Sequence, residues 1–154
     1  MKEGSSPAPS PANFLGVPGC GDRLRRHWTN SYGRPMVMDA PPALEVYYAS
    51  YCAPCRLELP VLARAAEGGA AVTVIILSEE KQARRELAAA SPLLAETAVA
   101  RVQGDPRPVL AAAGDERALL PYSRVLGADG RICGRWHGRL TVQRIAALLK
   151  SCKG

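Results

Sequence analysis

Long apolar runs are missing from this chain, so nothing in it reads as a membrane-spanning helix. A secretory signal is missing too. Met1-Lys2-Glu3-Gly4-Ser5-Ser6 leads into a Pro/Ala/Ser stretch with no apolar h-region. Val17-Pro18-Gly19-Cys20 has the look of a lipoprotein cleavage site but lacks the preceding apolar segment. The expectation is either a cytosolic protein or one whose targeting segment lies outside this sequence. Histidine is scarce, with His27 and His137 alone, and no second close cysteine pair exists, which argues against a zinc site. The formal charge is +6, but its arginines are scattered rather than clustered, so no nucleic-acid footprint is expected.

What is present centres on Ala49-Ser50-Tyr51-Cys52-Ala53-Pro54-Cys55-Arg56-Leu57-Glu58-Leu59-Pro60. The apolar run Ala43 to Ala49 reads as a strand buried on both faces, and a helix period follows the cysteines. A C-x-x-C pair at a strand-to-helix junction is a redox arrangement. Cys52 at the open end of the helix meets unpartnered N–H groups, which favour a thiolate. Cys55, one turn on, is placed to attack a mixed disulfide at Cys52. Pro54 suits a first turn, where its missing N–H is not needed. On these residues alone, a static disulfide or half of a metal site stays open. Cys20, Cys133 and Cys152 remain; one further disulfide among them would leave a free thiol.

The rest of the chain punctuates readily. Residues 1–13 are expected to be mobile. Leu24, Trp28 and Tyr32 recur every four residues and predict a short helix over Asp22–Ser31, with Trp28 anchoring the extension and His27 at the surface. Met36–Met38 reads as a short strand. Glu45 is the misfit in its strand, expected to reach water or an arginine. A helix carrying Leu59, Leu62, Ala63 and Ala66 should kink at Pro60 and end at Gly68-Gly69. Val72–Leu77 is a strand; Ser78 is expected to cap a helix running to Ala90, which Ser91-Pro92 stops. A helix start over Pro92–Ala100, a strand over Val99–Gln103 and a short helix ending near Gly114 follow. Leu120–Leu126 and Arg131–Trp136 flank Gly127-Ala128-Asp129-Gly130 as a hairpin, and Val142, Ile145, Ala146 and Leu149 mark a closing amphipathic helix.

The run Cys52-Ala-Pro-Cys55-Arg-Leu-Glu58-Leu-Pro60 resembles the C-x-P-C-[RK]-x-E-x-P signature of the thioredoxin-fold reductases of the TlpA/ResA type. The resemblance covers about residues 36–150, with Tyr51 where the family usually has Trp. It implies an α/β, thioredoxin-like fold, a central mixed β-sheet flanked by helices, over residues 36–154, after a tail and N-terminal extension over 1–35. It implies a cis Leu120–Pro121 bond beside Cys52, with Leu120 and Pro121 positioning an extended substrate, Tyr51 packing beside the site, and Glu58 as a partly buried carboxylate close to the cysteines. An exposed helix-surface glutamate is the ordinary alternative for Glu58. The activity implied is protein-disulfide reduction by the CAPC dithiol of Cys52 and Cys55, without metal or organic cofactor. Expected partners are protein or peptide disulfides, such as apocytochrome c or copper-site assembly proteins, with electrons from a membrane thiol donor. The location implied is the bacterial periplasm. A dithiol oxidase is the second reading. A copper or metal chaperone on the same fold is the third, and it requires His137 near the cysteines.

Overall fold

The computed structural model describes residues 27–29, 35–37, 41–101 and 104–152. Backbone contacts divide the chain into two units, one ending at Asp39 and one beginning at Ala40. In the first unit, β1 (His27–Thr29) pairs antiparallel with β2 (Pro35–Val37), Trp28 opposite Met36. This corrects the helix expected over Asp22–Ser31. The four-residue spacing there is outweighed by Trp and Thr, which favour strands, and by a connection rich in turn formers, Asn30, Ser31 and Gly33. The tail, residues 22–26, Cys20, Met38 and the packing of Trp28 and His27 lie outside the described residues.

The second unit is built on a sheet of order β5-β4-β3-β6-β7. Its strands are β3 (Ala43–Tyr48), β4 (Ala71–Ile76), β5 (Val99–Ala100), β6 (Tyr122–Leu126) and β7 (Ile132–His137). The β3–β4 and β4–β5 pairs are parallel; β3–β6 and β6–β7 are antiparallel. The parallel β3–β4 pair requires a crossover. It is supplied by α1 (Ala53–Leu57) and α2 (Leu59–Glu67). Next come α3 (Glu80–Ala90), α4 (Pro92–Thr97), α5 (Arg107–Ala112) and α6 (Val142–Lys150). The strand over Val99–Gln103 is seen at Val99–Ala100, and residues 102 and 103 lie outside the described residues.

Strand alternation assigns the two faces. Leu44, Val46 and Tyr48 of β3, with Val72, Val74 and Ile76 of β4, pack against α2, α3, α4 and α6 through Leu62, Leu87, Leu94 and Leu148. Tyr47, Ile75 and Tyr122 face the other way and pack on Leu110 and Ala113, at α5 and its end. Glu45 shares that second face, where its Oε1 accepts from Arg124 Nε at 2.8 Å and from the Tyr47 hydroxyl at 3.2 Å. The expected arginine partner is therefore Arg124.

Three local expectations are corrected. The helix after Cys55 breaks rather than bends. Pro60, which has no N–H to give to the turn behind it, stands in the first turn of α2 and Glu58 is the joint. The cap of α3 is Glu79, accepting from the N–H groups of Lys81 and Gln82 at 2.9 Å each. Ser78 is drawn away instead, its hydroxyl accepting from Ser50 N–H at 2.9 Å. On α6, Val142 and Ala146 are exposed, and the buried side is Ile145 and Leu148 with Leu149. A Cys133–Cys152 disulfide, Cα atoms 5.0 Å apart, ties the chain just past the end of α6 to β7.

Candidate active site

β3 ends at Tyr48 and the chain turns at once. Cys52 N–H donates to Ala49 O at 3.0 Å, and Arg56 donates to Ser50 O. Ser50 N–H is held by Ser78. Behind this turn, the hydroxyl of buried Tyr48 donates to Glu86 Oε1 on α3. Burial pushes the Glu86 carboxyl up, but hydrogen bonds from Tyr48, Ser50 and Gln82 outweigh it and hold the group below its ordinary value. The turn bearing the cysteines is thus tied to α1 and to the residue leading into α3, with Tyr48 behind it tied to the side of α3.

Cys52 caps α1 in extended conformation, and Cys55 N–H donates to its Sγ at 3.2 Å. Cys52 and Cys55 are joined as a disulfide, Cα atoms 5.2 Å apart. Cys52 keeps 8% of its surface exposed and Cys55 none, so Cys52 is the sulfur an incoming group meets first. With only five residues in α1, the macrodipole contributes little; the directed N–H of Cys55 supplies the local polarity. Pro54 occupies the first turn, exposed, as its missing N–H allows.

Glu58 is not on the surface. It is 1% exposed, at the α1–α2 joint, three residues beyond Cys55. Its Oε2 accepts from Leu140 N–H at 2.8 Å. Burial pushes its carboxyl up to about 7, with the Leu140 N–H and the charge of Arg139 pulling the other way. No sequence signal pointed to Leu140, because a backbone N–H carries no residue identity and this one lies in a loop after β7.

The Leu120–Pro121 bond is cis. β6 runs antiparallel to β3 with Tyr122 opposite Tyr47, so Pro121 falls one step further, level with Tyr48 at the end of β3 from which the cysteine turn leaves. Leu120 packs on the same cluster of side chains as Cys52 and Cys55. Tyr51 is 66% exposed rather than packed, beside an open cleft of about 670 Å³ that includes Leu77, Glu79, Glu80 and Pro106. Leu119 and Leu57 add exposed apolar surface nearby in sequence.

His137 is not with the cysteines. It stands across from Tyr122 on β7, on the α5 side of the sheet, where its Nε2 lies 2.9 Å from Asp115 Oδ1. Among the described residues no group of His, Cys, Asp and Glu is assembled to hold a metal ion. The ligand set that the chaperone reading requires is therefore not brought together.

No family model matches the sequence, and no curated protein matches it. Solved structures do match. A thioredoxin-related protein from Neisseria meningitidis serogroup B superposes with a TM-score of 0.61 at 17% identity, over 79% of this chain and 93% of its own. The second unit has a thioredoxin-like fold. A thiol:disulfide interchange protein of the thioredoxin family from Chlorobium tepidum matches at TM-score 0.55 and 16% identity, over 82% of this chain and 92% of its own. A secreted disulfide oxidoreductase of Mycobacterium tuberculosis matches at 0.53 and 15%, over 80% and 92%. These likenesses establish the thioredoxin-like architecture, in which the Cys52–Cys55 turn and the cis proline stand at one end of the central strands. No helix among the described residues is long and apolar enough to cross a membrane.

Proposed function

We propose that this chain is a thiol–disulfide oxidoreductase working as a reductase of protein disulfides, similar to the TlpA/ResA type. The observation that carries the reading is the Cys52–Cys55 disulfide at a helix start, with one sulfur reachable and the other enclosed. In the reduced enzyme, Cys52 thiolate attacks a substrate disulfide. A Cys52–substrate disulfide forms and one substrate thiolate leaves. Cys55 then loses its proton and attacks Cys52 sulfur, releasing the second substrate thiolate and restoring the Cys52–Cys55 disulfide. Two electrons pass to the substrate, and an external dithiol must return them.

Glu58 is the group for the Cys55 proton. A buried carboxyl near pH 7 exchanges protons at neutral pH, and its negative charge disfavours a neighbouring thiolate. Disfavouring the reduced pair makes it the better electron donor, which supports reduction over oxidation. Leu120 makes no backbone hydrogen bond among the described residues, which leaves it to pair with an extended substrate segment, while Tyr51 offers it an apolar wall. The Cys133–Cys152 disulfide supports an oxidising compartment such as the bacterial periplasm, with a membrane thiol as donor.

Insulin reduction tests the activity. Cys52→Ser is expected to abolish it, and Cys55→Ser to accumulate the Cys52–substrate mixed disulfide. Full activity in Cys52→Ser overturns the assignment. A redox titration decides the direction: a potential well below that of glutathione fits the reductase, and one far above it fits the dithiol oxidase instead.

A further inference from the structure

The segment that delivers Leu120 and Pro121 has no regular structure after α5, yet it is held at both ends by two consecutive residues of the opposite hairpin arm. Asp115 at one end is fully buried, with Oδ1 on His137 Nε2 at 2.9 Å. At the other end, Gly138 N–H donates to Pro121 O at 3.0 Å. Between them Ala118 sits at φ 54, a left-handed conformation that costs an alanine about 1–2 kcal/mol. A turn bond from Ala118 N–H to Asp115 O at 3.0 Å leads into it. Ahead of Asp115, Ala113 O accepts from the Tyr122 hydroxyl at 2.7 Å and from Arg124 Nη1 at 3.2 Å.

A buried carboxylate is a poor way to stabilise a loop. It is costly unless fully paired, and Asp115 Oδ2 has no partner among the described residues. Packing alone would be served by an apolar residue. What the Asp115–His137 bond supplies is direction. It fixes the start of a strained turn whose end presents the exposed Leu119 and the backbone of Leu120. His137 keeps about a third of its side chain exposed, so the latch is reached from outside the core.

From this geometry we infer that Asp115 and His137 are positioning residues that hold the Leu119–Pro121 segment in register for an extended protein substrate. The inference rests on the exchange reading above and adds to it which residues set preference for protein over small disulfides. A small disulfide needs only Cys52 and Cys55. A polypeptide needs the segment as well.

The test compares two probes on the full chain, 5,5′-dithiobis(2-nitrobenzoic acid) and insulin. With the first, the reduced enzyme releases two aryl thiolates and becomes the Cys52–Cys55 disulfide. His137→Ala is expected to raise KM for insulin about ten-fold, the loss appropriate to one hydrogen bond, with kcat within about two-fold. The rate with the aryl disulfide should stay within about two-fold, since only docking is lost. His137→Gln, whose amide N–H can still reach Asp115, should recover most of the insulin KM. Asp115→Leu, of similar size but with no polar atom for His137, should show the same split if His137→Ala melts too early to assay. An unshifted insulin KM in both variants, both probes falling in parallel, or no recovery in His137→Gln overturns the inference while leaving exchange intact. A wild-type enzyme inert to the aryl disulfide overturns the exchange reading, and this inference with it.

Discussion

Replacing Glu58 by Gln tests the buried carboxyl directly. The substitution keeps the shape and an oxygen for Leu140 N–H, and removes only the ability to ionise. Burial raises the carboxyl from an ordinary 4.5 to about 7 in the folded, disulfide-bonded protein. Between those two values the folded state holds a proton that the unfolded chain has released. Stability must therefore fall as pH rises through that window. At about 1.36 kcal/mol per pH unit, the wild type forfeits about 3 kcal/mol between pH 4.5 and pH 8 through this group alone. The Gln variant forfeits none of it. Any fixed cost of the amide cancels when the two pH values are compared. Urea unfolding of both oxidised proteins across pH 4.5 to 8 reads the difference. The variant should gain on the wild type by about 3 kcal/mol toward pH 8, or roughly 6–12 °C in Tm. A stability gap that stays constant to within about 1 kcal/mol across that range refutes the reasoning, because a carboxyl that titrates at its ordinary value does not sense burial.

Three further outcomes follow from the packing. Cys133→Ser with Cys152→Ser reopens a loop of sequence separation 19, so urea unfolding should show a loss of about 3 kcal/mol while exchange with an aryl disulfide is unchanged. Leu62→Ala empties a fully buried position in α2 and should cost about 2–5 kcal/mol by the same measurement. Tyr48→Phe removes the hydroxyl that donates to Glu86 and should cost about 1–3 kcal/mol; an unchanged denaturation midpoint would show that water replaces the bond at no cost.

Most elements near the cysteines were legible because each is short-range. The β-branched run that became β4 and the Asp-Gly turn of the β6–β7 hairpin carry their own signals within a few residues. The first unit was misread for the same reason. A spacing of four residues looks helical to any local pattern, and only the partner strand Pro35–Val37 decides otherwise. Ser78 lost its capping role to a contact with Ser50, 28 residues away.

The sequence alone placed Cys52 and Cys55 within one helical turn of each other at a strand-to-helix junction, while the Cys133–Cys152 pair was decided only by the fold. It also placed a proline, Pro121, immediately before the β6–β7 hairpin. It did not determine what surrounds them. Glu58 takes its raised pKa from burial, against the pull of a backbone N–H 82 residues on, and His137 is claimed by Asp115 rather than by the cysteines. Burial and hydrogen-bond partnership are properties of the assembled sheet and its two covered faces, so the chemistry of a carboxyl or an imidazole is settled only when distant segments close over it.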